Sequence, residues 1–359
     1  MKKISVCIIS AQLAPNYLFL QETKELAEEV LLIASKGFED KAKRLHDLIK
    51  PLNYKNIEVL TFSEKDVEEK WNQMVSEIEM RLDKQNRYFV NLTGGTKYMS
   101  LAVQKLFEKY ESDFFYIPSP KNYFIKPMRD DTRVGITHRI KVKEGLDIFG
   151  VEVKSAETDI VDCDYTNKYF DMFIKGRLDF GVIEELRKHR RKKHVLIESV
   201  DNLSDFLKRS EFSPKNEGTL SRKEVEYLTG GWFEEYIYNH IKEYVKHDDI
   251  LLNLAVTKAT KTGDSNNINE FDVCFTLNNK FYVIECKTGG TAKESEFNPI
   301  AYKAKALKES HMGLATEMYI FSLGPVHDRA SELGIKCFGR EHFEDKDKFR
   351  ALMQRLSGE

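Results

Sequence analysis

The sequence predicts an α/β protein of two α/β units: an N-terminal Rossmann-like domain with a mostly parallel sheet, and a C-terminal α/β domain built around a hairpin. Three observations predict it. Short apolar runs alternate with amphipathic stretches over the first 130 or so residues; a glycine pair, Gly94-Gly95, stands where the fourth run gives way to a helical pattern; and two strand-like segments flank Asn278-Asn279 near the other end. At 359 residues and 41% hydrophobic, the chain can fill two or three cores. The spacing divides it into residues 1–130, a segment 131–229 and a unit 230–359.

The elements follow in order. Lys3–Ser10 (KISVCIIS) and Val30–Ala34 (VLLIA) are apolar runs, the second followed by a helical pattern through Lys43, Leu45, Leu48 and Ile49 that stops at Pro51. Ile57–Leu60 is a third run; the helix after it is marked by Val67, Trp71, Met74, Val75, Ile78 and Leu82, three and four residues apart. Tyr88–Leu92 leads through the glycine pair into an amphipathic helix over Tyr98–Tyr110, and Phe114–Ile117 closes the series. Strands that alternate with helices are covered on both faces and pair in parallel.

Asn91-Leu-Thr-Gly-Gly-Thr-Lys97 sits at a strand end and a helix start. The hydroxyls of Thr93 and Thr96, the Gly94-Gly95 backbone, the N–H groups of the next helix and the Lys97 ammonium can face one anion there. It is not a Walker A loop, lacking the four-residue gap before Gly-Lys, and it also serves as an ordinary strand–helix connection. Ligands of open α/β sheets bind beyond the carboxyl ends of the strands, where Ser10-Ala11-Gln12 should also lie. With no histidine–carboxylate pair, this domain reads as a sensor.

From Asp131 onward the composition turns polar. Arg187–His194 carries six permanent positive charges in eight residues, suited to phosphate contact or to a solvated helix end. Ser204–Gly218 reads as a loop-rich stretch broken by Pro214, Asn216 and Gly218. The segment 131–229 is expected to be a linker or small accessory unit.

Gly230-Gly231 opens a helix from Trp232 towards Val245, its stripe formed by Phe233, Tyr236, Ile237, Ile241 and Tyr244. On a helical wheel Glu234 lies about 100° from Phe233, at the stripe's edge, and Glu235 points nearly opposite, towards water. Asn269–Phe275 and Phe281–Lys287 then read as strands joined at Asn278-Asn279. Period two sets Phe281, Val283, Glu285 and Lys287 on one face, so an acid and a base emerge beside a core, where charges are costly unless paired or bound to metal. With Asp272 on the neighbouring strand, Glu285 makes a hard oxygen site suited to Mg²⁺ or Mn²⁺, with Glu234 as a possible third ligand. Such an ion activates water for phosphodiester hydrolysis, and Lys287 would orient that water or stabilise the developing charge. A second Glu-x-Lys, Glu152-Val-Lys154, is separated from Asp147 by only four residues, with no room for a hairpin, and reads as accidental.

Composition bounds the partners. The net charge is −2, from 56 basic and 58 acidic residues, so a polyanion must be held by a local patch. Five scattered cysteines argue against disulfides and structural zinc and point to a reducing, cytoplasmic setting. No stretch approaches the roughly 20 apolar residues of a membrane span, and the start lacks the pattern of a signal peptide.

Gly231–Lys287, with GGWFEEY, NEFDV and FYVIECKTG, resembles the PD-(D/E)xK nucleases, of restriction-endonuclease-like fold. Residue by residue, the resemblance implies Glu234, Asp272, Glu285 and Lys287 as the catalytic set; Phe271 stands where a proline is often found, at a position that makes no catalytic contact. NLTGGTKYMS and IISAQLAPN resemble a CARF domain, the nucleotide sensor of type III CRISPR accessory proteins. The two halves together resemble the CARF nucleases with a fused PD-(D/E)xK domain. The resemblance implies a homodimer that binds a cyclic oligoadenylate, commonly cyclic tetra-adenylate, through Ser10, Ala11, Gln12 and Thr93–Lys97, and in response cleaves DNA, RNA or both with a divalent metal. Two other classes stand beside this one: a nucleotide-sensing transcriptional regulator that binds DNA without cutting it, and a housekeeping α/β enzyme acting on a small phosphorylated metabolite.

Overall fold

The computed structural model describes residues 1–118, 121–126, 132–157, 161–258, 268–289, 316–326 and 332–357. Strands β1 (Lys3–Ile8), β2 (Glu29–Ala34), β3 (Asn56–Thr61), β4 (Arg87–Asn91) and β5 (Glu111–Phe115) form one all-parallel sheet in the order β3-β2-β1-β4-β5. Alternation along the strands explains the covering: Ile4, Val6, Ile8, Leu31 and Ile33 face α3 (Trp71–Glu79) and α4 (Lys97–Phe107), while Cys7, Val30, Leu32 and Ala34 face α1 (Ala14–Thr23) and α2 (Glu39–Ile49). This is the Rossmann-like arrangement the apolar runs predict. Helix α1 carries no amphipathic signature, because Asn16, Tyr17, Leu18, Phe19, Leu20 and Thr23 are all buried around its circumference.

A small hairpin of β6 (Tyr123–Ile125) and β7 (Arg133–Gly135) leads to α5 (Val142–Phe149), which joins the two units. Leu146, Ile148 and Phe149 belong to the same core as Cys7 and Leu32 of the first sheet and Phe281 and Val283 of the second. Phe149 meets Phe281 edge-on, ring centroids 6.3 Å apart.

The second sheet has six strands in the order β15-β14-β13-β12-β11-β8: β8 is Val151–Glu157, β11 Asp249–Lys258, β12 Ile268–Leu277, β13 Lys280–Lys287, β14 Thr316–Ser322 and β15 Lys336–Phe338. Four strands from β8 to β13 run antiparallel, and β13, β14 and β15 pair in parallel. Asn278 and Asn279 turn the β12–β13 hairpin with φ of 51° and 61°, the left-handed pair a two-residue primed turn requires. The far face is covered by α6 (Cys163–Ile174), α7 (Phe180–Lys188), α8 (Leu203–Arg209), α10 (Trp232–Tyr244) and the helix Lys346–Ser357, which enclose Tyr282, Ile284 and Cys286. Strands β9 (His194–Leu196) and β10 (Thr219–Ser221) and the short α9 (Arg222–Glu226) complete that layer.

Of the segment 131–229, the part from β8 onward is built into this second unit. Its β8 extends the sheet through β11, and its Tyr169, Phe173, Ile183, Leu186, Phe206 and Leu207 share one core with Trp232, Phe233 and Ile284. Ser204–Gly218, expected as loop, begins inside α8, whose Leu203, Phe206 and Leu207 bury a stripe spaced three and four apart.

Candidate functional site

The loops after β1 and β4 lie side by side, since β1 and β4 are neighbours and the strand order reverses between them. Ser10, Ala11 and Gln12 lead into α1, with Ala11 and Gln12 exposed. Across from them, Gly94 and Gly95 press against the end of β1: a Cβ on Gly94 would stand 1.8 Å from the Ile8 carbonyl oxygen, and Gly95 has φ +74°. Asn16 and Asn91 lock the two loops, the Asn91 amide donating to Asn16 Oδ1 at 2.8 Å and the Asn16 amide to the Ile8 carbonyl at 2.8 Å.

The expected ligand groups divide accordingly. The Thr93 hydroxyl donates to Asn91 Oδ1 at 2.7 Å and accepts the Ile117 N–H at 2.8 Å, so it holds the fold. The Thr96 hydroxyl caps α4 by accepting the Met99 N–H at 3.1 Å. What faces solvent at this rim is Lys97, with Thr96, Ala11 and Gln12, beside the amino end of α4.

In the second unit, Asp272, Glu285 and Lys287 meet at one end of the β12–β13 pair. The ladder runs from Leu277–Lys280 to Val273–Ile284; one residue farther, the Asp272 carboxylate accepts the Cys286 N–H at 2.6 Å. Lys287 Nζ stands 3.6 Å from Asp272 Oδ2 and 3.4 Å from Glu285 Oε2, and the Glu285 and Asp272 side chains are only 8% and 14% exposed. Burial acts against the Lys287 charge, but the Asp272 and then the Glu285 carboxylate raise its pKa above the ordinary lysine value, so it stays an ammonium. The neighbouring Cys286 thiol is pushed up, by burial and then by Asp272, and remains protonated.

Glu234 reaches the same centre from the first turn of α10. Burial and then the charge of Asp272 raise its carboxyl well above the usual carboxylate range, with Lys287 and Arg190 acting in the opposite sense. Glu235, expected to face water, does not: it is 7% exposed and accepts the Val161 N–H and the Thr166 hydroxyl. The wheel misplaced it because α6 covers the side of α10 opposite the sheet, so nearly the whole circumference of α10 is buried. Glu152 and Lys154, the second Glu-x-Lys, pair with each other at 2.9 Å on the edge strand β8, away from any such centre.

The donor set can be tested against a divalent ion. Among the described residues no cluster of three His, Cys, Asp or Glu side chains is assembled to hold a metal. Asp272 and Glu285 nonetheless offer two hard carboxylates beside one ammonium, and magnesium is commonly held by one or two carboxylates with water completing its shell. The pair fits such an ion, and the Glu234 carboxyl is near enough to feel the Asp272 charge.

A cleft of about 810 Å³ adjoins this centre; Glu234 and Asp272 line it, and so do both basic residues, Arg190, Lys193 and Lys215 among them, and further carboxylates such as Glu226 and Glu270. Sequence reasoning noted the basic run that holds Arg190 and Lys193 but did not bring it to the carboxylates. No periodicity signals that contact, because the guanidinium of Arg190 reaches the Thr229 carbonyl, 39 positions away, at 2.7 Å.

Comparison with known proteins follows the same division. Residues 4–145 match the family described as the Card1 CARF domain, and residues 221–353 the family described as the Card1-like endonuclease domain. No curated protein matches the sequence. Among solved structures, protein VC1899 from Vibrio cholerae is similar with a TM-score of 0.76 at 18% identity, over 99% of this chain and 98% of that one. Can2 from Sulfobacillus thermosulfidooxidans, solved in complex with cyclic tetra-adenylate, gives 0.72 at 18% identity over 98% of each chain. A type III CRISPR defence DNA nuclease activated by cyclic oligoadenylate gives 0.57 at 15% identity, over 96% of this chain and 51% of that one. At these identities the likenesses establish a shared fold.

Proposed function

Since this chain joins a domain of the Card1 CARF family to one of the Card1-like endonuclease family, we propose that it is a metal-dependent endonuclease that hydrolyses phosphodiester bonds of DNA, RNA or both. In this reading a cyclic oligoadenylate, in first place cyclic tetra-adenylate, bound at the N-terminal loops switches it on in type III CRISPR antiviral defence. The observation that carries the reading is the grouping of Asp272, Glu285 and Lys287 at one end of two paired strands, beside a cleft that Asp272 lines together with Glu234 from a helix start.

Mg²⁺ or Mn²⁺ held by Asp272 and Glu285, with Glu234, would lower the pKa of bound water and offset charge on a phosphate oxygen. The protein's own groups do the positioning. Asp272 is oriented by the Cys286 N–H, which occupies one of its oxygens and leaves the other for the ion. Lys287, held cationic by the same carboxylates, orients the attacking water or stabilises the phosphate oxygens as charge builds on them.

At the other site, Lys97 and the amino end of α4 suit a phosphate, with Ser10, Ala11 and Gln12 on the facing loop. Two copies of the loop pair around a two-fold axis would suit a ring ligand with several phosphates, and a homodimer follows from that symmetry. A ligand that binds the cleavage-competent dimer more tightly than the resting one raises the active population in proportion to the difference.

The deciding experiment incubates labelled single-stranded and duplex DNA and RNA with the protein, with and without cyclic oligoadenylates and divalent metal. Cleavage that requires both additions supports the reading; binding of duplex DNA without any cleavage supports the nucleotide-sensing regulator instead.

A further inference from the structure

We propose that Arg190, braced by Arg187, forms a phosphate-binding subsite beside the Asp272–Glu285–Lys287 centre, which takes a phosphodiester group of the nucleic-acid substrate adjoining the one that is cut. The proposal rests on the nuclease reading and adds a substrate contact to it. Arg187 lies in the last turn of α7 and Arg190 just beyond it, three residues on. Both fold back onto one peptide. Arg190 donates from Nε to Thr229 Oγ1 and from Nη2 to the Thr229 carbonyl, each at 2.7 Å. Arg187 donates from Nε to that same carbonyl at 3.3 Å and from Nη2 to Thr288 Oγ1 at 3.2 Å.

These partners lie where the two halves of the centre join. Thr229 precedes the Gly230-Gly231 pair from which α10 presents Glu234, and Thr288 directly follows Lys287. The backbone makes room for the guanidinium: a Cβ on Gly230 would stand 2.7 Å from Arg190 Nη2.

The charges are unequal in a telling way. Arg187 is paired with Glu184, whereas no described carboxylate lies within ion-pair distance of Arg190. The charges of Glu234 and Glu226 favour its own without an ion pair to either. Arg190 is nonetheless exposed, and it lines the cleft together with Glu234 and Asp272. Two guanidiniums that share one carbonyl repel each other, and the repulsion is relieved when an anion joins them. Nη1 of Arg190 is left over once Thr229 has taken Nε and Nη2, and a guanidinium already fixed in place loses little freedom on gripping a phosphate. Lys193 lines the same cleft and adds a second positive charge to it, whereas Arg222 is paired there with Glu226 at 2.7 Å.

The test is equilibrium binding of a short fluorescent oligonucleotide, as DNA and as RNA, to the full-length protein with cyclic tetra-adenylate in EDTA, at several salt concentrations. Arg190→Ala should weaken binding about tenfold and reduce the slope of log affinity against log salt by about 0.7 to 0.9, the value of one phosphate contact. Arg190→Lys should restore the slope. With metal added, Arg190→Ala should raise KM more than it lowers kcat. Arg190→Gln keeps a donor for Thr229 without the charge; if Arg190→Ala does not fold, loss of slope in Arg190→Gln at an unchanged melting temperature supports the proposal. An unchanged slope in Arg190→Ala or Arg190→Gln, with parental binding and cleavage present, overturns it and leaves the nuclease reading standing. A parent protein that neither binds nor cuts the oligonucleotides overturns both.

Discussion

Asp272 takes the Cys286 N–H at 2.6 Å one residue beyond the last paired position of the β12–β13 ladder, so a side chain replaces the main-chain acceptor where the two strands part. The carboxylate therefore carries a structural bond as well as its charge. Asp272→Ala should abolish cleavage but also strand a half-buried amide, at a cost of about 1–3 kcal/mol. Asp272→Asn keeps an acceptor for that amide and removes the charge. It should melt close to the parent and cut at no more than a few per cent of its rate. Thermal unfolding and cleavage rate measured on both variants check this; parental cleavage by Asp272→Asn would remove Asp272 from the centre.

Glu234 and Glu235 should separate by the property they affect. Glu235 ties α6 to α10 through Val161 and Thr166, and burial pushes its carboxyl up to about 7. Glu235→Ala should lower stability by about 1–3 kcal/mol, since it leaves the Val161 N–H unbonded. Glu234→Gln should melt like the parent yet lose most cleavage. Denaturant titration beside a cleavage assay decides it, and the reverse pattern would show that Glu235 is the residue that serves the reaction.

At the sensor loops, rigidity and ligand contact should also come apart. Lys97→Ala should leave the melting temperature unchanged and shift activation to higher cyclic tetra-adenylate concentration, because an exposed cation is lost. Gly94→Ala should destabilise the domain, since its Cβ overlaps the Ile8 carbonyl. Asp272→Asn should bind the ligand as the parent does. Calorimetry with cyclic tetra-adenylate tests all three; full-rate cleavage with no cyclic nucleotide would end the sensor assignment.

Asn279 joins the two units. Buried at the hairpin turn, it accepts the Ile140 N–H at 2.8 Å and donates to Asn122 Oδ1 at 2.6 Å and to the His138 carbonyl at 3.0 Å. His138 in turn meets Glu144, which also accepts the Tyr17 hydroxyl of α1, the helix that follows the Ser10–Gln12 loop. Asn279→Gly preserves the left-handed turn and deletes these bonds. We expect it to leave ligand affinity near parental while it lowers cleavage at saturating ligand severalfold; a parental activation curve would exclude this joint from the coupling.

By itself the sequence determined the parallel order of apolar runs, the glycine turn after β4, the Asn278-Asn279 hairpin and the side-by-side emergence of Glu285 and Lys287. Each is a local matter of period, turn conformation or strand face, and each is encoded within a few residues. Only the tertiary structure decided that 151–157 is an edge strand of the second sheet, that Glu235 is buried, that the Thr93 hydroxyl is engaged on both sides by the fold while Thr96 caps α4, and that Arg190 shares a cleft with Glu234. Those outcomes depend on which surface comes to cover which. Helix α10 looks one-sided until α6 closes over it, and a basic run looks solvated until Thr229 draws two of its guanidiniums onto one carbonyl.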